Sequence, residues 1–423
     1  MANPQHPEPN PDEQALLAAV IAHPDEDTPR LMYADWLQEH AETLPGRDPN
    51  EVRARAEFIR AQIEAGRFPP GDANAKALRA RVVDLVERYG QPWCEYGVTA
   101  FVRGFPAAIY CHYLSDICGQ AAHLLSRYPI RVLYADEAFL RDTEDEAGVV
   151  SSPHFAQLTG LGSTSRGWDG DRVARVLTNP HLANLRLLDF FCGSYNRTEG
   201  ARGIAAAPHL TNLLVLDLSQ CEIQNEGLEA LAGAPHLASL RALRLGRGHA
   251  DFANDITEAG VAALTRSKRF PSLTQLTLDG NEIGTDGVRH ILNAEWAGNL
   301  TELNVADAWI AEPGLLALAQ SQRLTNLRRL DVSANEVTEA VAQAFLQSES
   351  FPNLTDLHLI HHHSLEEPLT EATQVALRKR FGSGVIGQRY PVSTAICIED
   401  KIGRRMRDLS NRPSGASEDC EVV

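Results

Sequence analysis

A leucine pattern returns through the second half of this chain at almost constant intervals, and few folds can accommodate it. Leu210-Thr-Asn-Leu213-Leu-Val-Leu216-Asp-Leu218 and Leu324-Thr-Asn-Leu327-Arg-Arg-Leu330-Asp-Val332 both read LxxLxxLxL. Further copies are Leu182/Leu185/Leu188/Phe190, Leu237/Leu240/Leu243/Leu245, Phe270/Leu273/Leu276/Leu278, Leu300/Leu303/Val305 and Phe351/Leu354/Leu357/Leu359. Weaker copies stand upstream at Ile130/Leu133 and Phe155/Leu158/Leu161. Their third positions fall at residues 133, 161, 188, 216, 243, 276, 303, 330 and 357, so every gap is 27 or 28 residues except one of 33.

In the LxL core of the pattern, alternate side chains share one face of a strand, so both leucines enter a core and the residue between them faces the other way. The Asn or Cys that follows, as in Cys221, Asn254 and Asn281, can turn its side chain onto backbone groups left open where the strand bends. Ala308 stands at this position in one copy. Next come a glycine and an apolar stripe at helical spacing, Gly227/Leu228/Leu231, Gly260/Val261/Leu264 and Gly287/Val288/Ile291, which lays a helix on the back of the strand layer. One such unit cannot bury its own leucines, whereas a stack of three or more makes a continuous core.

Strand and helix spacings alternating at this period resemble a leucine-rich-repeat array of the ribonuclease-inhibitor and Ran GTPase-activator class, over residues 128–388. The resemblance implies an α/β solenoid of strand-helix units with a parallel sheet on its concave face. In front of it, residues 12–89 lack the repeat and predict four helices at 12–22, 30–40, 51–65 and 74–89, broken at His23-Pro24, Pro45-Gly46 and Pro69-Pro70-Gly71. The run from Ala15 to His40, with Tyr33-Ala-Asp-Trp-Leu37, and the segment Ala56–Ile63 resemble the repeat-companion domain that precedes repeat arrays in planctomycete bacteria. Arg103-Gly-Phe-Pro106 resembles the junction in those proteins. That likeness implies an architecture and a bacterial setting, and it assigns no activity. The expected division is a disordered 1–11, the helical domain 12–89, a junction and cap at 90–127, the array 128–388 and a partly disordered tail 389–423.

A net charge of −17 repels a phosphate backbone, and no Lys/Arg-rich segment with interleaved aromatics reverses it locally, so nucleic acid is not expected as a partner. No apolar run approaches the roughly 20 residues that span a bilayer, and Met1–Asn10 lacks the features of a leader. The seven cysteines are odd in number, form no CxxC pair and read as small core residues. These features lead to the expectation of a cytoplasmic protein with no membrane partner.

The chain contains no GxxxxGK[ST], GxSxG or HExxH motif and no dinucleotide fingerprint between a strand and a helix. His358, His361, His362 and His363 with Glu366 and Glu367 have a metal-like composition, yet consecutive histidines on an extended chain diverge, and a solvated strand end is the expected role. No cofactor, metal or catalytic residue is expected. The functional expectation is a non-enzymatic scaffold that binds a protein partner on the concave face, with a regulator of an enzyme, GTPase activator-like or inhibitor-like, as the alternative. The outward-facing residues of that face are Leu187, Asp189, Phe191, Val215, Asp217, Ser219, Ala242, Arg244, Gln275, Thr277, Asp279, Glu302, Asn304, Ala306, Arg329, Asp331, Ser333, Asp356 and His358. The long gap holds an insertion, Gly246–Ala253, that carries Arg247, His249 and Phe252 toward the rim of the same face.

Overall fold

The computed structural model describes residues 10–69, 72–90, 93, 98–137, 148–163, 170–190, 197–246, 253–359 and 369–386. The chain divides into two compact units: among these residues the first comprises 10–112 and 116–134, the second 113–115 and 135–386.

In the first unit, each of the first four helices starts with a proline, a capping side chain or both, near where the sequence breaks suggest. Helix α1 (Pro11–Ala22) opens with Asn10, whose Oδ1 accepts the Asp12 N–H at 2.8 Å. Helices α2 (Thr28–His40), α3 (Pro49–Ala65) and α4 (Ala73–Tyr89) follow, and Asp48 and Asp72 cap the last two. Leu17, Val20, Tyr33, Trp36, Leu37, Val52, Ile59 and Ile63 form the core of the first three helices, and α4 adds Val82 and Leu85 against Ala54 and Phe58. Burial, then the neighbouring Glu13 carboxylate, drives the Tyr33 hydroxyl far above its usual pKa, so it remains a donor to Glu13 Oε1 at 2.8 Å. Asp35, beside Trp36, makes an exposed ion pair with Arg60 at 2.7 Å, which is the structural role its position suggests.

The Arg103-Gly-Phe-Pro106 segment is the turn of a hairpin between β1 (Val98–Val102) and β2 (Phe105–Tyr113). Arg103 and Gly104 both have positive φ, +52° and +82°, as a two-residue hairpin turn that follows strand twist requires. Three contacts bind this turn to the helices: Arg103 Nε lies 3.5 Å from Asp27, its Nη1 donates to the Asp25 carbonyl, and Gln62 Oε1 accepts the Gly104 N–H at 2.7 Å. Phe105 then enters the core, sharing with Phe58, Trp93 and Phe101 a ring of aromatics 5.2–5.7 Å from the buried Arg55 guanidinium. Helix α5 (Gln120–Arg127) and strand β3 (Val132–Glu137) follow, and Val132 and Tyr134 pack with Ala100 and Ala108.

The second unit is a stack of strand-helix repeats. Its strands are β4 (Gly160–Gly162), β5 (Leu187–Asp189), β6 (Val215–Asp217), β7 (Ala242–Arg244), β8 (Gln275–Thr277), β9 (Glu302–Asn304), β10 (Arg329–Asp331) and β11 (Asp356–His358), hydrogen-bonded in chain order. All pairs are parallel, with Leu161, Leu188, Leu216, Leu243, Leu276, Leu303, Leu330 and Leu357 aligned in one register. Every one of these leucines is at most 2% exposed, and each contributes roughly 2 kcal/mol by leaving water. Across the core lie α6 (Gly170–Val176), α7 (Arg197–Ala205), α8 (Gln224–Gly233), α9 (Glu258–Arg266), α10 (Gly284–Asn293), α11 (Glu312–Ala319), α12 (Glu339–Gln347) and α13 (Glu371–Phe381). The chain is therefore an α/β solenoid preceded by a helical unit. Val385 closes the last repeat, its carbonyl accepting the Leu359 N–H at 3.1 Å.

Three polar rows run at the same period as the leucines. The buried row bears out the expectation for the Asn/Cys position: Asn254 donates to the Leu218 and Leu245 carbonyls at 2.8 and 2.9 Å and accepts the Cys221 and Ile223 N–H groups at 3.2 Å. Asn281 and Asn335 repeat the arrangement. An exposed row, Asn184, Asn212, Asn299, Asn326 and Asn353, donates from each repeat to a carbonyl of the preceding one at 2.7–3.0 Å. The sequence reading overlooked it, although each of these residues directly precedes a pattern leucine.

The third row is histidine: Pro153-His154, Pro180-His181, Pro208-His209 and Pro235-His236. His236 Nε2 lies 3.1 Å from the Ile204 carbonyl in the last turn of α7, the helix of the preceding repeat. Burial holds both imidazoles below their usual pKa, and for His209 the neighbouring His236 adds to the shift. A folded-state pKa below 6.5 means that the unfolded chain takes up more protons as the solution acidifies. The stability these residues contribute is thus complete above pH 6.5 and is lost as pH falls below it. Urea midpoints at pH 7.5 and 5.5 should fall less on acidification in His209→Gln/His236→Gln than in the wild type, and equal falls would refute the assignment.

Candidate partner-binding surface

On each three-residue strand the central leucine points into the core, and the first and third residues point to the opposite, front face. That face is not uniformly open. Leu187, Asp189, Val215, Asp217 and Ala242, all expected to face solvent, are at most 4% exposed, and His358 at the far end is 4% exposed. Along the first-position column burial follows side-chain type. The column reads Leu187, Val215, Ala242 over β5–β7 and then Gln275, Glu302, Arg329, Asp356 over β8–β11, so its apolar half is covered and its polar half is accessible. Alternation alone located the face; side-chain type along the column decides which part of it meets water.

Third-position residues are largely committed to the turn that ends each strand. Asp217 Oδ1 accepts the Ser219 N–H at 3.0 Å, Asn304 Oδ1 the Ala306 N–H at 3.1 Å, and Asp331 Oδ1 the Ser333 N–H at 3.0 Å and its hydroxyl at 2.6 Å. Asn304 also donates to Asp279 at 3.1 Å. Ser219 and Ser333 are buried with these turns. Arg244, Thr277, Asn304 and Asp331 remain half-buried.

The first-position column between β8 and β11 is the accessible part with chemistry to offer. Glu302 and Arg329 face each other in register and pair at 2.6 Å, with side chains 29% and 41% exposed. Gln275 lies beside Glu302 on one side, and Asp356 beside Arg329 on the other. The strands present these groups on short, closely bonded backbone, which holds them as a fixed polar strip roughly 15 Å long. At the strand-entry edge, Thr274, Asn299, Thr301, Asn326 and Arg328 border an open cavity of about 470 Å³, and its asparagines already bond the preceding repeat.

Phe191, Arg247, His249, Phe252 and the His361–His363 cluster lie outside the described residues, as does the tail beyond residue 386. Among the described residues, no three His, Cys, Asp or Glu side chains gather as a metal site would require, and no helix is long and apolar enough to cross a membrane. Burial raises the Cys111 thiol to about 12, so it remains protonated at neutral pH and is a poor nucleophile. One surface residue that sequence reasoning passed over is Trp309, 68% exposed and at φ +57°. It directly follows Ala308, the one substitution in the polar row, and that was its signal.

A family model described as Leucine Rich repeat matches residues 209–232 and 299–319. No curated protein matches the chain. Among solved structures, the crystal structure of the Rad7 and Elc1 complex in yeast is similar at 15% identity, covering 84% of this chain and 96% of that one, with a TM-score of 0.42. An internalin (inlF) from Listeria monocytogenes is similar at 15% identity, covering 64% of this chain and 94% of that one, with a TM-score of 0.29. The chain carries leucine-rich repeats.

Proposed function

We propose that the protein is a non-enzymatic interaction scaffold that docks a protein partner on the polar half of its sheet face, between β8 and β11. The observation that carries this reading is the strip Gln275, Glu302, Arg329, Asp356: four polar first-position residues in one register, partly accessible on a rigid sheet whose other first-position residues, Leu187, Val215 and Ala242, are buried. A strip of fixed, alternating charge selects a complementary charge pattern, which serves specificity more than raw affinity. The helices on the other side are occupied in closing the core, so the sheet side is where sequence can vary without harming the fold.

Tagged full-length protein used to capture partners from an extract of the source cells provides the test. A partner retained by the wild type should be lost at least tenfold in Arg329→Glu and not recovered when Glu302→Arg is added, because the double variant restores the pair but presents the partner with the reversed charge pattern. Exposed pairs are worth at most about 1 kcal/mol, so all variants should fold. A partner retained equally by Gln275→Arg, Arg329→Glu and the wild type would sink this reading. If the captured partner is an enzyme whose turnover changes on binding, the protein is a regulator and not a passive scaffold.

A further inference from the structure

The turns that leave successive strands carry an acidic column with one interruption. The residue after the buried polar position is Glu222, Asp255, Glu282, Trp309 and Glu336 in five consecutive repeats. Adjacent turns are tied to one another: the Gly284 N–H bonds the Ala308 carbonyl at 3.0 Å, Asn335 Oδ1 accepts from Ala308 and Ile310, and the Glu336 N–H bonds the Ile310 carbonyl at 3.1 Å. Trp309 is thereby fixed in the column between Glu282 and Glu336, and all three are exposed. Among the described residues of these turns, 218–223, 253–256, 278–283, 305–310 and 332–337, there is no lysine or arginine.

An indole 68% in water forgoes most of the free energy that burying its apolar surface would contribute to the fold. Its left-handed backbone is a further cost for a bulky residue. In partner-binding surfaces a lone accessible tryptophan is the residue type that dominates binding. Its surroundings state what it would hold. The indole face attracts cations, and the backbones of Glu282 and Glu336 stand on either side at the spacing of neighbouring strands, roughly 5 Å; the Glu336 carboxylate also accepts the Glu312 N–H at 3.2 Å. An arginine suits this better than a lysine, because the planar guanidinium stacks on the ring while its edge donates to a carboxylate. A surplus of 17 negative charges adds long-range attraction for such a segment.

We propose that Trp309, with Glu282 and Glu336, is a docking point for an arginine-bearing segment of a protein partner, on the strand-exit rim and separate from the sheet-face strip. The inference rests on the reading of the chain as a protein-binding array, but it uses none of the strip residues.

The test is titration of the full chain at low salt with a synthetic peptide of four Gly-Ser-Arg units, followed by calorimetry and tryptophan fluorescence. Companion peptides replace arginine by lysine or by citrulline, which keeps the shape and removes the charge. The wild type should bind the arginine peptide and not the citrulline one. Trp309→Ala should weaken binding about tenfold or more and Trp309→Phe about threefold or less, since phenylalanine keeps a weaker π face. Glu282→Gln/Glu336→Gln should weaken it several-fold and flatten its salt dependence, and the lysine peptide should bind less tightly than the arginine one. Thermal midpoints unchanged across the set establish that folding is intact. Equal binding by Trp309→Ala and wild type would reveal a general attraction to an acidic surface and overturn the proposal, as would no binding by the wild type. Loss in Arg329→Glu with retention in Trp309→Ala would place the peptide on the sheet face and overturn it too. Partner capture that survives Trp309→Ala but fails in Arg329→Glu would leave the sheet-face reading standing while this one falls.

Discussion

Replacing Asn335 by alanine is expected to destabilise the repeat unit by about 3 kcal/mol. The side chain is 8% exposed and all of its hydrogen-bonding capacity is in use. Nδ2 donates to the Val305 and Val332 carbonyls at 2.9 Å and to Ser333 at 3.3 Å, while Oδ1 accepts the Ala308 and Ile310 N–H groups at 3.0 Å. Removing it strands two donors and two acceptors of the backbone at once. Each such group costs about 1–3 kcal/mol when left unpaired, and entry of a water would recover part of the sum. Asn353→Ala is the internal control: it too breaks a bond to the preceding repeat, to the Thr325 carbonyl at 2.9 Å, but in solvent, and should cost less than about 1 kcal/mol. Urea unfolding of the full chain distinguishes the two, and similar losses for both would refute the view that burial gives the inner row its weight.

The leucine register, the parallel order of the strands and the inner Asn/Cys row were legible because each has one physical solution. Alternating leucines at a fixed period can be buried only by stacking, and an amide beside a bend can be satisfied only by the backbone it meets. The front face was less legible. Asp189, Asp217 and His358 occupy positions that alternation assigns to solvent, and the structure buries them. Polarity at one residue is a poor guide there; the whole first-position column, apolar from Leu187 to Ala242 and polar from Gln275 to Asp356, marks the boundary between the covered and accessible halves. The histidine and outer asparagine rows were also present in the sequence, at the same period as the leucines. They were missed because a search keyed to hydrophobic positions passes over polar residues that repeat beside them.

In the first unit, Gly104→Ala should cost about 3 kcal/mol or more, and Gly46→Ala about 1 kcal/mol. Both glycines have positive φ, +82° and +73°, so both substitutions carry the backbone penalty of a left-handed alanine. They differ in what the new methyl group meets. At position 46 nothing lies within 4 Å; at position 104 it would sit 2.5 Å from Cα and from Cγ1 of Ile59. Ile59 is fully buried in the middle of α3, and its backbone cannot swing aside as a long side chain would. The hairpin must therefore lift. Lifting it draws the Gly104 N–H away from Gln62, Arg103 away from Asp27 and Asp25, and Phe105 out of the core it shares with Tyr33. Urea or thermal unfolding of the two variants, read by far-UV circular dichroism and tryptophan fluorescence, isolates the collision as their difference. If the two lose stability equally, the turn at 103–104 moves freely over α3, and its glycine is there for φ alone.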